Sequence, residues 1–263
     1  MRVMTYNIRN SGAGDGPNRW ELRRDLWIQI VRQFDPDLLG VQEVLADQYD
    51  DLKEQFPDYT LVGVARDDGK RLGEWSLILF RTARFAELGR WDFWFSSTPH
   101  TPGSIDEDAA CPRLCSCVRL RDNITGRNIR FCNLHLDHQG ERSRMNAVQQ
   151  LRALVVTGSS LDLDPVILVG DFNCTERDAP YSVLTQEAGF TDSYRTCHPV
   201  IQKNESSFHH FSDSLEGLRI DWILHQWQLR AVAAEIDRTR GPYGQFASDH
   251  DPVTAVLQWV DEK

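Results

Sequence analysis

The chain has 263 residues, 41% of them hydrophobic and 26% charged, the make-up of an ordinary globular protein with a substantial core. A formal net charge of −10 argues against tight binding along duplex DNA, because proteins that grip phosphates in series carry a basic face. No run of about 18 apolar residues occurs, so no membrane-spanning helix is expected. The densest basic group, Arg19, Arg23 and Arg24, is interleaved with Glu21 and Asp25. The N-terminal residues run straight into strand-like sequence without a signal-peptide core, which points to a cytoplasmic protein. In that compartment the six cysteines are expected as thiols rather than disulfides. Cys111, Cys115 and Cys117 lack the paired spacing of a zinc ribbon, and Cys115 and Cys117 fit small buried strand residues.

Val3 to Ile8 alternates as a strand and delivers Asn7, then a glycine-rich loop follows. Asn18 is placed to cap a helix with Leu22, Leu26, Trp27, Ile30 and Val31 at helical spacing, and Asp35-Pro36 stops it. Leu38 to Val41 is a buried strand that ends in Gln42 and Glu43. Asp47 to Phe56 is a short helix. Tyr59 to Ala65, Glu74 to Arg81 and Arg84 to Phe95 are successive strands, and the proline-bearing stretch Ser96 to Pro112 is a surface loop beside the site. Leu114 to Arg121 and Arg127 to Leu136 form a hairpin about Asn123 to Gly126. Glu141 to Val156 is helical, with Met145, Val148, Leu151 and Val155 on one face. A helix is expected near Ala179 to Ala188, a loop at Ser206 to Phe211, strands at Arg219 to Leu224 and Leu229 to Ile236, and a closing strand at Thr254 to Val260. With no linker or repeat, residues 1–263 form one domain. The mixture of hairpins and interspersed helices fits an α/β (α+β) fold of two sheets packed face to face, with helices outside.

The central stretch is Pro165 to Asn173. Val166 to Val169 is a fully buried strand, and after Gly170 come Asp171, Phe172 and Asn173. Period-two geometry puts Asp171 and Asn173 on one side and Phe172 on the other. An Asx turn that merely closes the strand is the plain alternative. Yet Asn7, Glu43, His135, Asp171, Asn173, Asp221, Asp249 and His250 all lie in or at the ends of short apolar strands, where polar groups are costly unless satisfied. If those ends meet at one rim, they suit a hard divalent cation.

Thr5-Tyr-Asn-Ile8, Val41-Gln-Glu43, Asn133-Leu-His135, Gly170-Asp-Phe-Asn173, Arg219-Ile-Asp221 and Ser248-Asp-His250 resemble the ordered motifs of the endonuclease/exonuclease/phosphatase superfamily. Gly73-Glu74, Phe93-Trp-Phe95, Leu136-Asp-His138 and Phe208-His209 are similar to a bacterial-type subgroup of uncertain substrate. The tryptophan that often follows the motif arginine, here Arg113, is absent from Leu114-Cys-Ser-Cys117. The resemblance implies a four-layer αββα sandwich of two packed mixed β-sheets flanked by helices, with the site at one rim. It implies Mg²⁺ or Mn²⁺ on Glu43, supported by Asn7 and with Asp249 as a second metal-side carboxylate or a partner of His250. Asp171 and Asn173 would orient water and hold the phosphate, His135 would stabilise phosphate oxygens, and Asp221 would orient His250. Either Asp171 or His250 takes the proton.

Arg113, His138 and His209 are further candidates for substrate contact, beside the alternatives of a surface ion pair and a solvated His209–His210 pair; Glu74 is a candidate for the rim. The stripe Trp91, Phe93, Phe95 reads as sheet core. The expected activity is metal-dependent hydrolysis of a phosphomonoester or phosphodiester, on a small phosphorylated substrate, by a monomer. A DNA or RNA nuclease is the alternative, and an inactive binding module on the same scaffold is less favoured.

Overall fold

The computed structural model describes residues 1–153 and 164–260. The first alternating run becomes β1 (Arg2–Asn7), and the amphipathic stretch after the glycine loop becomes α1 (Trp20–Phe34). Asp35 ends α1 in the left-handed region at φ 52°, and Pro36 prevents its continuation. Next come β2 (Leu38–Val44), α2 (Ala46–Gln55), β3 (Tyr59–Val62), β4 (Trp75–Arg81), β5 (Phe85–Trp94), and the hairpin β6 (Leu114–Asp122) and β7 (Asn128–His135). Then follow α3 (Glu141–Leu151), β8 (Val166–Asp171), and α4 (Ala179–Ser182), which runs into a π-helical turn at Val183–Glu187. The chain closes with β9 (Thr191–Asp192), α5 (Ser193–Cys197), β10 (Asp221–His225), β11 (Leu229–Ile236) and β12 (Val253–Trp259).

Two six-stranded sheets result, ordered β11-β12-β1-β2-β4-β3 and β5-β6-β7-β8-β10-β9. Both are mixed: β1 pairs with β2, and β7 with β8, in parallel, while their other named pairings are antiparallel. Strand alternation builds the layers. In β1 and β2, Val3 and Leu38 face the second sheet and meet Phe131, Ile167 and Val169. Met4, Tyr6, Leu39 and Val41 face outward onto Trp27, Ile30 and Val31 of α1 and Leu52 of α2. In β8, Val166 and Leu168 turn the other way, toward Ala147, Val148 and Leu151 of α3. Both faces of β8 are therefore apolar, which is why its sequence reads as an unbroken hydrophobic run. The sandwich is αββα, as expected. No helix among the described residues is long and apolar enough to cross a membrane.

Several local expectations are corrected. Asn18 does not cap α1: the helix begins at Trp20 with Arg19 in the cap position and no side-chain cap bond. Leu22 is half exposed, whereas Arg23 is buried because its guanidinium donates to the carbonyls of Ile8, Arg9, Asn18 and Ala247. The short pair β9 and α5 carried no periodic signal. Val155, assigned to the face of α3, lies outside the described residues. The cysteines are not all thiols: Cys117 and Cys132 are linked by a disulfide. These two residues are direct partners in the β6–β7 register, with Cα atoms 4.2 Å apart, a juxtaposition that spacing along the chain does not reveal. Trp91, Phe93 and Phe95 are sheet core as read, with Phe93 and Phe95 edge-to-face at 5.6 Å.

One buried side chain ties the sheets together. Asn133 of β7 donates through Nδ2 to Val41 O at 3.0 Å and Leu77 O at 2.8 Å, and its Oδ1 accepts from Gln42 Nε2 at 2.6 Å. The close approach requires Gly40 opposite, where an added Cβ would lie 2.4 Å from Val169 Cγ2. Replacing Asn133 removes a donor from two carbonyls and one of the two acceptors of the Gln42 amide, which keeps Thr5 Oγ1 at 3.0 Å, and each polar group left unsatisfied costs about 1–3 kcal/mol. Asn133→Ala is therefore expected to lower unfolding free energy by about 3–5 kcal/mol, measured as a shifted denaturant midpoint at unchanged slope; a loss below about 1 kcal/mol would show that the tie contributes little.

Candidate active site

The polar strand ends converge at one rim of the sandwich, around a cavity of about 500 Å³. Glu43, His135, Asp171, Asn173, Asp249, His250, Arg113 and His138 line it, and Arg9, Asn10, Arg66, Glu74, Phe208 and His210 complete its wall. A larger cleft of about 550 Å³ lies between Ser97–Asp108 and α3, but it holds none of these residues. Asn7 and Asp221 sit immediately behind the wall.

Glu43 reaches the cavity by a backbone device. The β2–β4 register slips between Val41 and Val44, and Glu43 adopts φ 64°, a conformation that non-glycine residues rarely take outside functional sites. The bulge turns the carboxylate inward. Its Oε1 accepts from Asn7 Nδ2 at 3.0 Å, and its Oε2 accepts from Asn10 N at 3.1 Å and Asn10 Nδ2 at 2.9 Å. Burial works against its charge, but His250, Asn7 and Asn10 outweigh it and hold the carboxyl below its ordinary range.

Asp171 ends β8. Its Oδ2 accepts from Asn7 Nδ2 at 3.1 Å and its Oδ1 accepts from Asn173 N at 2.9 Å. The Asx turn is thus present and is part of the site. Burial, and then the charge of Asp221, push Asp171 up to about 7. Asn173, at φ 48°, donates through Nδ2 to Leu136 O at 2.9 Å and contacts His135 Nε2 at 3.0 Å. Burial and the neighbouring Arg113 and Arg66 hold His135 well below its ordinary value, so it is a neutral imidazole. With Asn173 donating to Nε2, its proton belongs on Nδ1.

Asp221 and His250 form a buried pair, with Nδ1 to Oδ2 at 2.8 Å. The other ring nitrogen lies 3.7 Å from Asp171 Oδ2. Burial opposes the charge on His250, yet Asp221, Asp171 and Asp249 raise it well above its ordinary value; at neutral pH it carries both protons. Asp249 is not its close partner. It lies 3.6 Å from Arg9 Nε, and burial raises its carboxyl against the opposing charge of His250, with Glu43 adding to the rise.

These geometries decide which residues fit a metal. Asp171, Asp221 and His250 each bring a ligand atom within 4.8 Å of the others, but Asp221 and His250 are committed to one another. Glu43, half-buried, and Asp249, buried, present carboxylate oxygens to the cavity, and the charge of Glu43 raises Asp249. Hard oxygen donors with an excess of negative charge fit Mg²⁺ or Mn²⁺. Asn7 turns its NH₂ toward both Glu43 and Asp171, and its Oδ1 accepts from Arg9 N. In this arrangement its amide group bridges the two carboxylates.

A model of the Endonuclease/Exonuclease/phosphatase family matches residues 4–250. The chain belongs to this family. A mannosyl-6-phosphatase from Bacteroides thetaiotaomicron is 32% identical with a TM-score of 0.91, covering 98% of this chain and 100% of that one. An endonuclease/exonuclease/phosphatase protein from Bacteroides vulgatus is 30% identical with a TM-score of 0.90, covering 98% of each chain. An uncharacterized protein of Acanthamoeba polyphaga mimivirus is 26% identical over 91% of this chain and 92% of its own length.

Within this family frame, one expected contact falls outside the cavity. His209 is buried against Asp251, with Nε2 to Oδ1 at 3.5 Å, and against the Phe246 ring. His210, the next residue, lines the cavity instead, so the pair is split rather than jointly solvated. Residues not singled out from the sequence include Asn10, Arg66 and Ser207, while Phe208, quoted there only within a motif, gains a role. Phe208 packs on His250 with ring centroids 4.8 Å apart. Ser207 Oγ donates to Asp221 Oδ2 at 2.7 Å and accepts from Ile220 N and Asp221 N. These residues lie in loops with no strand-end signature, so only proximity identifies them.

Asp251 anchors the back of the site. Arg238, Arg240 and His209 surround it, and although burial opposes ionisation, His209 and Arg240 hold its carboxyl at about 2. An unfolded aspartate titrates near 3.9, so Asp251 stabilises the fold fully above about pH 4, and that contribution is lost as pH falls toward about 2. Asp251→Asn is expected to cost about 3 kcal/mol at pH 7 and to flatten the loss of stability over this acid window. Acid-denaturation curves of the two proteins that ran parallel would contradict this assignment.

Proposed function

We propose that this chain hydrolyses a phosphate ester of a small polar molecule, with water as nucleophile and Mg²⁺ or Mn²⁺ held by Glu43 and Asp249. The observation that carries this is the walled cavity of about 500 Å³ into which the carboxylates of Glu43, Asp171 and Asp249 and the donors Arg113, His135, His138 and His250 converge. Its likeness to a mannosyl-6-phosphatase supports a phosphorylated sugar as the first substrate to try. The net charge of −10 weighs against an extended nucleic acid.

The cation, when bound, would act as a Lewis acid on a non-bridging phosphoryl oxygen. Asp171, held by Asn7 and by the Asn173 N–H, is poised to take a proton from the attacking water. His250 already carries two protons through its pairing with Asp221, so it serves as a charged donor to a phosphoryl oxygen rather than as the base. Asn173 is a positioning residue, which fixes the His135 ring through Nε2. Water adds to phosphorus as Asp171 takes one of its protons, the ester P–O bond breaks, and the departing alkoxide takes a proton from solvent to leave as the alcohol while Asp171 returns its proton to solvent.

The decisive assay is a phosphoester panel with Mg²⁺ or Mn²⁺: sugar phosphates, inositol phosphates, nucleotides, p-nitrophenyl esters and short nucleic acids. Turnover is expected on small esters above nucleic acids and is expected to vanish in chelator; Glu43→Gln should raise the half-saturating metal concentration roughly 10–100-fold in a folded protein. Full turnover with metal absence verified by elemental analysis would refute the metal role. His250→Ala is expected to lower kcat by about two to four orders of magnitude with little change in metal requirement, and Asp221→Asn should lower it less. Near wild-type kcat in His250→Ala would remove His250 from the reaction.

A further inference from the structure

We infer that the cavity wall built on Arg113, with Arg66 behind it, takes the third terminal oxygen of a phosphomonoester and so selects monoesters over diesters. This rests on the reading of the cavity as a phosphoesterase site and narrows it to one ester class.

Arg113 lies just before β6 with its side chain 5% exposed, and it lines the cavity. Its Nη2 contacts His138 Nδ1 at 3.0 Å. Its Nε faces Asp137 Oδ2 at 3.6 Å, too far for a hydrogen bond. The Asp137 oxygens already accept from the backbone N–H groups of Ala110, Gln139 and Gly140. Nε and Nη1 of Arg113 are therefore buried donors with no hydrogen-bond partner among the described residues, as are Arg66 Nε and His135 Nδ1. Buried N–H groups left unpaired are costly, and three guanidinium donors and one neutral imidazole donor on side chains that border one void call for an acceptor.

Arg66, Arg113 and His135 line this void, a recess of about 10 Å³, together with Glu74, Trp75, Ser76 and Leu114. That is room for about one oxygen-sized group and none for a carbon substituent. Glu74 also faces the void, but it is paired with Arg66 at 2.5 Å, and the charge of Arg113 is met by Asp137 at 3.6 Å while two of its N–H donors stay without an acceptor. Arg66, Arg113, Glu74 and His135 border both the void and the main cavity, so the void opens toward the metal-side carboxylates. A monoester dianion has three terminal oxygens. With two of them at the cation and His250, the third reaches the Arg113 wall. A diester carries an O–R group in that place, which the void does not admit.

The test compares kcat/KM for p-nitrophenyl phosphate and bis-p-nitrophenyl phosphate in the wild type and in Arg113→Gln, with Mg²⁺ or Mn²⁺. The wild type should prefer the monoester, and Arg113→Gln should lower the monoester-to-diester ratio about tenfold or more. A proportional loss on both esters, or an unchanged ratio, overturns the inference. So does a wild type that turns over the diester as well as the monoester, while leaving the phosphoesterase reading intact. Turnover of neither substrate, nor of any other ester in the panel, removes that reading, and the inference falls with it. Should Arg113→Gln not fold, the wild type decides: inorganic phosphate should inhibit at least about tenfold more tightly than dimethyl phosphate, and equal inhibition overturns the assignment.

Discussion

Two carboxylates on different sheets share one amide group. Asn7 Nδ2 lies 3.0 Å from Glu43 Oε1 on β2 and 3.1 Å from Asp171 Oδ2 on β8, and Asn7 itself is fully buried. Like charges brought together away from water repel strongly, since the local dielectric screens them poorly. The surrounding residues answer that repulsion. Asn10 adds two donors to Glu43, Arg9 approaches Asp249, and His250 is kept protonated beside Asp171. What remains is a pool of oxygen donors with a residual negative charge, which is the environment that a hard cation completes.

That pool depends on the two sheets holding their relative position, and a polar tie in an apolar layer helps to fix it. Asn133 binds backbone of both β2 and β4 from β7, and it stands two residues from His135. A second restraint acts on the other side. The 206–211 loop is laced to the 249–251 segment by His209 N to Asp249 O at 2.9 Å and Asp251 N to Ser207 O at 2.8 Å. Through it Ser207 braces Asp221, and Phe208 packs on the His250 ring. The His250 imidazole is thus supported by packing and hydrogen bonds outside the cavity, which is how a side chain is held to a narrow range of positions.

Both signs of charge line the cavity. Glu43, Asp171 and Asp249 reach it from β2, β8 and the segment before β12, while Arg66 and Arg113 stand beside β4 and β6 with Glu74 as the partner of Arg66. A phosphoryl group in the cavity would meet both the cation and guanidinium donors. The acidic balance of the whole chain says nothing of this local arrangement, because net charge averages over surfaces that the substrate does not touch.

The sequence by itself determined the layers and the strand ends. Apolar alternation is a local property, so Val3 to Ile8, the run Val166 to Val169 and the β6–β7 hairpin were legible from periodicity, and Asn7, His135, Asp171 and Asp221 were legible as polar residues where such strands finish. Only the tertiary structure decided how side chains turn once the strands stop. Glu43 faces the cavity because a bulge against β4 reverses its direction. His210 rather than His209 lines the wall because the Phe208–His250 bridge fixes the phase of that loop. Asn10, Arg66 and Ser207 act on partners 33, 8 and 14 residues away, and Cys117 meets Cys132 across a strand pair. Each of these depends on long-range backbone pairing, which sets orientation through contacts that no local pattern encodes.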